Sequence, residues 1–304
     1  MTPISLMTEQ QAARMPADVD FERRFGGIAR LYGARGLARF KKARVCVIGV
    51  GGVGSWVVEA MARSAIGHIT MIDLDNLAES NINRQIHALN ETLGMAKVTA
   101  LAQRIAQINP CCQVTEIEDF VTAENLGTLI GAGNFDFIID AIDDVRAKTA
   151  LIAYCRQHQL RLVTIGSAGG QIDPTKIEVR DLSRTEQEPL LAKVRKRLRA
   201  EHGFPRGTKN KFGIDAVFST EPLQFPEADL FCTVEHPAPD STALSNKGSR
   251  DDGADALSHG LTGLNCAGFG SAVVVTAAFG LVAAAHALRL LATAAPSTVP
   301  GLAR

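Results

Sequence analysis

Residues 44–54, with the sequence RVCVIGVGGVG, decide the fold class. An apolar run ends in Gly49-Val-Gly-Gly-Val-Gly54, which matches the G-x-G-x-x-G pattern and leads into a helix-forming segment. Residues 68–73, HITMID, form a second candidate buried strand. Residues 44–73 therefore predict one βαβ unit of about thirty residues, whose glycine-rich turn suits the close approach of a phosphate group.

Strand and helix patterns continue to alternate beyond this unit, which is typical of a mostly parallel sheet covered by helices on both faces. The candidate strands are 114–117, 137–142, 162–165 and 176–180, and the candidate helices are 56–64, 98–108, 122–130, 148–158 and 189–202. The sequence predicts an α/β fold: a Rossmann-like, doubly wound, mostly parallel sheet with a C-terminal extension.

The chain divides into three parts by pattern. Residues 1–20 are polar and unpatterned and predict a loose arm, and residues 21–175 predict the nucleotide-binding domain. The helical pattern that opens this domain is expected to break at Gly26-Gly27 and at Gly33. The C-terminal part, 176–304, comprises a basic helix (189–211), a variable, mobile insertion (237–259) and an apolar terminal helix (267–294).

Composition excludes several classes of protein. The 304 residues include 32 Lys and Arg against 32 Asp and Glu, so no global attraction to nucleic acid or membrane is expected. The six cysteines contain no C-x-x-C pair, which argues against a thiolate zinc site. We expect a cytoplasmic protein because the N-terminus lacks a secretory signal pattern. The uncharged stretch 267–285 could associate with a membrane, but its Ala, Gly and Val content favours a buried helix.

Charged and amide side chains follow the predicted strands at the edge that carries the glycine loop. The candidate cofactor-binding residues are Gly49, Gly51, Gly52, Gly54, Asp73, Asp75, Asn81, Arg84, Lys97, Asp140 and Asp143. Taken singly, Arg84 fits a surface ion pair, Lys97 a first-turn residue and Asp143 a helix N-cap. Because the carboxyl ends of parallel strands meet, we expect these groups to converge. Cations and a carboxylate for Mg²⁺ beside a phosphate loop favour ATP-dependent adenylation over NAD-dependent hydride transfer.

The motifs GVGGVG, IDLD, SNINRQ and DAIDD, together with Lys97, resemble the ubiquitin-activating-enzyme-like adenylyltransferases from about residue 24 to residue 170. The resemblance implies that Asp73 binds ribose, and that Arg84 and Lys97 bind the triphosphate. It also implies that Asp143 holds Mg²⁺, with Asn81 helping to hold the phosphates and the metal. The catalytic set implied is Arg24, Arg84, Lys97 and Asp143, with Arg24 lent across a homodimer to the partner's ATP.

Further motifs resemble the tRNA threonylcarbamoyladenosine dehydratase family over nearly the whole chain. They are residues 25–33, 83–88, 153–155, 168–174, 217–221 and 266–270. Relatives that activate carrier proteins usually have two C-x-x-C pairs and often a cysteine in a crossover loop, whereas residues 166–216 contain no cysteine. The resemblance implies ATP-dependent cyclisation of N6-threonylcarbamoyladenosine in tRNA, and adenylation of a sulfur-carrier protein is the alternative. Ring closure through the substrate's own ureido group needs no enzyme nucleophile, which suits the missing cysteine.

A nearly one-signed basic run supports a tRNA substrate. Residues 193–211 hold eight cations against one glutamate, and phosphate contact is favoured over a merely solvated helix face. The candidate nucleic-acid contacts are Lys193, Arg195, Lys196, Arg197, Arg199, Lys209 and Lys211. Related enzymes work beside cysteine desulfurases, so a sulfur relay through Cys232 and Cys266 is an open alternative to buried, inert thiols.

Overall fold

The computed structural model describes residues 19–207, 210–225 and 269–293. The predictions for the N-terminal arm, the insertion 237–259, Cys232, Cys266 and Lys209 lie outside these residues. A single seven-stranded sheet runs through the described chain in the order β3-β2-β1-β4-β5-β7-β6. The strands are β1 (Arg44–Ile48), β2 (His68–Ile72), β3 (Gln113–Ile117), β4 (Phe137–Asp140), β5 (Leu162–Ile165), β6 (Ile177–Asp181) and β7 (Asp215–Ser219).

Strand direction confirms the doubly wound α/β prediction. Every neighbouring pair is parallel except β6 and β7, which pair antiparallel at one edge. The strand order reverses between β1 and β4, and this switch point is where such sheets bind ligands. Strands β6 and β7, both C-terminal to residue 175, extend the same sheet, so the described C-terminal part packs onto the nucleotide-binding half.

Six α-helices cover the two faces of the sheet within the described residues. They are α1 (Phe21–Lys42), α2 (Gly54–Arg63), α3 (Lys97–Ile108), α4 (Val145–Gln157), α5 (Pro189–Glu201) and α6 (Val273–Thr293). Helices α1, α2, α3 and α6 share one apolar core with the sheet, whereas α4 and α5 share the core on the opposite face. Both faces of the sheet are therefore covered by apolar cores, and the central strands β1, β4 and β5 are apolar along almost their whole length.

Helix α1 corrects the predicted chain breaks. Gly26 and Gly27 are helical, and the only non-helical residue inside α1 is Gly33, with φ 77° and ψ 162°. The helix starts at a strong N-cap, since the Asp20 carboxylate accepts a hydrogen bond from the Arg23 amide at 2.9 Å. A glycine pair is tolerated within a helix that is capped and packed, while a positive φ favours glycine at the kink.

Further elements differ from the prediction. The basic helix predicted over 189–211 ends at Glu201. The segment 122–130 contains only a single π-helical turn, Gly127–Gly131, and the strand predicted over 137–142 ends at Asp140. The strand β7 was not predicted, because its pairing with β5 and β6 is long-range. Predicted helix 267–294 corresponds to α6, which is long and apolar enough to cross a membrane, yet half of its most apolar window is buried inside the protein.

Candidate functional site

A cavity of about 620 Å³ opens at the carboxyl ends of the parallel strands, at the switch point between β1 and β4. Its lining includes most of the residues that the sequence predicted to bind a cofactor. Those residues are Gly49, Gly51, Gly52, Asp73, Asp75, Asn81, Arg84, Lys97 and Asp143. The structure therefore brings together residues that lie as many as 94 positions apart in the sequence, counted from Gly49 to Asp143.

The glycine loop is shaped by close backbone contacts. Gly49 has φ 79°, and a Cβ there would lie 2.8 Å from the carbonyl oxygen of Ala141. A Cβ on Gly54 would lie 1.8 Å from the carbonyl oxygen of Gly49, so only glycine lets α2 start this close to β1. The N-cap residue of α2, Val53, makes no side-chain capping bond. No capping side chain therefore competes with an anion for this helix end, where the helix dipole favours negative charge.

Asp73 and Asp75 are tied to the loop and to a buried lysine. The Asp73 carboxylate accepts hydrogen bonds from the amides of Val50 at 2.7 Å and Asp75 at 2.9 Å. Lys97 is nearly buried, and its Nζ lies 2.6 Å from Asp75 Oδ2 and 3.9 Å from Asp73 Oδ1. The Lys97 ammonium is thus held at the cavity by two carboxylates before any phosphate is present.

Arg84 lies across the mouth of the glycine loop. Its side chain packs 3.2 Å from the position that a Cβ of Gly52 would take. The guanidinium donates to the carbonyl of Ser80 at 2.6 Å and to Asn83 Oδ1 at 2.9 Å. Partial burial lowers the pKa of Arg84 from its usual range, although this group stays protonated in proteins. Asn81 Oδ1, in contrast, accepts from the Ala78 amide at 3.1 Å and stabilises the turn that carries Arg84.

The two predicted carboxylates after β4 have different roles. Asp140 is fully buried and does not line the cavity, so the structure does not place it with the other predicted cofactor-binding residues. It pairs at 2.9 Å with Lys148, which is also fully buried, and accepts from Thr164 Oγ1 at 2.7 Å. Asp143 does open onto the cavity, where desolvation by the surrounding protein raises its pKa. Asp144, rather than Asp143, caps α4 by accepting from an amide at 2.7 Å.

Several lining residues were not predicted. The loop Gly166–Gly169 follows β5, Leu190 lies in the first turn of α5, and Ser271 and Thr276 precede and open α6. Asp119–Val121 completes the rim after β3. The segments after β3 and β5 could have been found from the rule that ligands bind beyond the carboxyl ends of strands. The residues of α5 and α6 could not, because no local pattern tells where those helices pack.

Arg24 is not part of the cavity in its own chain. Its guanidinium donates to the carbonyls of Gln107 at 3.2 Å and Ile108 at 3.0 Å, at the C-terminal end of α3. It borders a different cavity, together with His87 and Arg104. Within one chain, the structure does not bring Arg24 together with Arg84 or Lys97, so any catalytic role requires a second copy.

The basic helix α5 offers fewer free cations than its sequence suggests. Arg195 donates to Thr185, Arg197 forms an ion pair of 2.9 Å with Glu201, and Arg199 lies 5.1 Å from the ring of Phe212. Burial lowers the pKa of Arg195. The predicted contacts that remain exposed are Lys193, Lys196 and Lys211. Lysines are point charges that suit phosphate contacts without fixed geometry.

Comparisons with known proteins agree with this arrangement. The chain matches the profile of the ThiF family over residues 25–303. It is 49% identical over 270 residues to the tRNA threonylcarbamoyladenosine dehydratase of Escherichia coli, covering 88% of this chain and 93% of that protein. The corresponding protein of Haemophilus influenzae is 46% identical over 270 residues, covering 88% of this chain and 93% of that protein. Crystal structures of the E. coli enzyme with ATP and with AMP are similar, with a TM-score of 0.74 and 46% identity over 89% of this chain and 94% of that chain.

Proposed function

The chain belongs to the ThiF family, and from this premise we propose that it uses ATP to cyclise N6-threonylcarbamoyladenosine beside the anticodon of tRNA. In this reaction the threonyl carboxylate is adenylated, and the ring then closes with net loss of water. Curated relatives that carry this activity in their names support the proposal, because the match spans nearly their whole length. The solved relative with ATP or AMP bound supports the use of ATP.

The observation that carries the proposal is the convergence of two cations and a carboxylate on one phosphate loop. Arg84, Lys97 and Asp143 line the same cavity as Gly49 and Gly52, whereas a dinucleotide used for hydride transfer needs little beyond the loop. Positive charge beside the phosphate loop stabilises the negative charge that develops on phosphate during nucleotidyl transfer. A purely ligand-binding role would not require such a set.

Magnesium fits the residues present. Asp143 opens onto the cavity, while Asp73 and Asp75 are engaged by backbone amides and Lys97. Among the described residues no cluster of three His, Cys, Asp or Glu side chains could enclose a metal. That pattern suits Mg²⁺, which is usually held by one or two carboxylates together with substrate phosphates and water. We assign Asp143 as its protein ligand; when bound, the metal would neutralise charge on the phosphates.

The residues of the chain can then be given roles in the reaction. Amides at the start of α2 bind the phosphates, and Asp73 holds the ribose. Arg84 and Lys97 stabilise charge while the threonyl carboxylate attacks the α-phosphate and pyrophosphate leaves. The substrate's ureido group attacks the acyl carbon of the resulting acyl-adenylate, loses a proton and expels AMP. Because this second step is intramolecular, orientation in the cavity supplies much of its rate.

A homodimer is part of the proposal. Arg24 reaches no phosphate-binding group of its own cavity, since it is bound to the end of α3. A second copy could bring its Arg24 to this cavity and add a third cation to the phosphate site. We further propose a cytoplasmic enzyme without stable membrane insertion, because α6 is packed against α1 and α2. A cysteine desulfurase partner stays a prediction, since Cys232 and Cys266 lie outside the described residues.

Release of AMP and pyrophosphate tests this proposal. The purified chain is incubated with ATP and Mg²⁺ together with tRNA that carries N6-threonylcarbamoyladenosine, with a sulfur-carrier protein, or with neither. We expect stoichiometric AMP and pyrophosphate, and a cyclised nucleoside by mass spectrometry, only with the modified tRNA. Turnover with the carrier protein alone would favour the alternative adenylyltransferase function.

A further inference from the structure

The cavity has two chemically different walls. The first wall, at the ends of β1, β2 and β4, carries the charged residues assigned above to ATP. The second wall lies at the end of the neighbouring strand β5 and comprises Gly166–Gly169 after β5, Leu190 on α5, and Ser271 and Thr276 at α6. Within the described ranges, this wall offers hydroxyl groups, backbone amides and apolar carbon, and no charged side chain.

A buried carboxylate fixes the shape of the second wall. Glu188 is only 4% exposed, and its Oε1 accepts a hydrogen bond from the Ser167 amide at 2.8 Å. Its Oε2 accepts from the Leu191 amide in the first turn of α5. A Cβ on Gly166 would lie 2.9 Å from the carboxyl carbon, so the loop rests directly on this group. Glu188 thus clamps the loop to the start of α5.

Glu188 is the N-cap residue of α5, and its other carboxylate oxygen binds the loop after β5. Among residues 19–207, 210–225 and 269–293, no cation forms an ion pair with Glu188, and burial raises its pKa although the charge of Lys148 opposes this. A buried carboxyl group is costly unless its hydrogen bonds are satisfied, and here backbone amides of two separate elements satisfy it. The arrangement is expected where the position of the loop matters.

The second wall includes the first turn of α5, and exposed lysines follow on the same helix. Leu190 borders the cavity, and Lys193 and Lys196 follow on the same helix. With a rise of 1.5 Å per residue, Lys196 lies about 9 Å along the axis from Leu190. A nucleotide whose base entered the cavity here would have its flanking phosphates near these ammonium groups. Contacts to phosphate would position the chain, and the cavity would take the base.

We propose that the second wall is the subsite for the carboxylate-bearing base of tRNA, and that Glu188 is the positioning residue that fixes its loop, Gly166–Gly169. This inference rests on the proposed function. An uncharged wall with amides and hydroxyls suits the planar, uncharged purine ring of this base, whereas the triphosphate is bound by the charged wall. A base bound here would direct its carboxylate across the cavity to the α-phosphate, the geometry that adenylation requires.

Two leucines on α5 provide a matched test. Leu190 and Leu198 are both buried, so Leu190→Ala and Leu198→Ala should lose similar stability, but only Leu190 borders the cavity. We measure the KM for modified tRNA by AMP release and the Kd of a non-hydrolysable ATP analogue by calorimetry. Leu190→Ala should raise the KM for tRNA about tenfold with the nucleotide Kd within about twofold, while Leu198→Ala should change neither.

Glu188→Gln tests the positioning role separately. The amide keeps the shape of the side chain but turns one acceptor into a donor that faces a backbone N–H. We expect the KM for modified tRNA to rise about tenfold while the nucleotide Kd stays unchanged. Two outcomes would overturn the inference alone. In the first, Leu190→Ala or Glu188→Gln raises the nucleotide Kd as much as the KM for tRNA. In the second, Leu198→Ala changes the KM for tRNA as much as Leu190→Ala does. An unsubstituted protein that binds ATP but releases no AMP with modified tRNA would overturn the proposed function as well.

Discussion

His87 should make the protein less stable in mild acid. Its imidazole is 2% exposed, and within the described part of the chain neither ring nitrogen has a hydrogen-bond partner. Burial, together with the charges of Lys97 and Arg104, lowers its pKa from 6.5 to about 3. In mild acid, the His87 imidazole is therefore protonated in the unfolded chain and neutral in the folded chain. The stability that depends on a neutral His87 is complete above about pH 6.5 and is lost as the pH falls towards about 3.

The size of this effect follows from the two pKa values. At about 1.4 kcal/mol per pH unit, the interval between 6.5 and about 3 corresponds to a loss of about 5 kcal/mol. About 2 kcal/mol of it should be lost between about pH 7.5 and about pH 5. In His87→Leu this titration is absent, and a buried group with two unsatisfied nitrogens is replaced by one of similar volume. The variant should match or exceed the parent in stability at neutral pH.

Urea denaturation at constant ionic strength over this pH range measures the difference. The free energy of unfolding of the parent should fall more steeply with acid than that of His87→Leu, by about 2 kcal/mol at about pH 5. The matched control is His202→Leu, at an exposed position, which should follow the parent. If His87→Leu shows the same pH dependence as the parent, the imidazole is protonated in the folded state and the reasoning is wrong.

Three further predictions concern the site and its supports. Gly54→Ala should weaken ATP binding at least about tenfold in calorimetry, because a Cβ 1.8 Å from Gly49 O forces α2 away from β1. Lys148→Met should lower the free energy of unfolding, measured by urea denaturation, by about 3–5 kcal/mol, because Asp140 stays buried without its cation. Adding Asp140→Leu to Lys148→Met should recover most of that loss. Lys193→Ala with Lys196→Ala should flatten the log–log salt dependence of tRNA binding by about 1 to 2 and leave the ATP Kd unchanged.

The parts of the site that lie in consecutive motifs were predictable from the sequence. A glycine pattern between a strand and a helix defines its own backbone geometry, and Gly49 and Gly54 have the close contacts that this pattern requires. Lys97 and Arg84 were placed at the cavity because strand ends share one edge of a parallel sheet. The sequence could not show that the aspartates after β2 would engage Lys97 or that Asn81 would stabilise a turn, since these pairings depend on side-chain distances.

Asp140 shows where a usable signal was overlooked. The buried face of α4 contains Leu151, Ile152 and Cys155, and Lys148 occupies the same face at helical spacing. A lysine among these apolar positions predicts a buried partner of opposite charge, and the aspartate at the end of the preceding strand is within reach. Arg24 is a different case, because no pattern within one chain can show that a residue acts in a second copy.

The two cations at the cavity, Lys97 and Arg84, have partners within the protein. These partners explain how the proposed phosphate site can hold both positive charges without strong repulsion. Lys97 is balanced by Asp75, and Arg84 donates to the Ser80 carbonyl, so both groups are already oriented towards the cavity. A triphosphate would exchange these partners rather than order free side chains, which reduces the entropic cost of binding. The aspartates released from Lys97 would then be available to the ribose and its surroundings. The same contacts that stabilise the site would thus keep the proposed catalytic charges in the positions that phosphate requires.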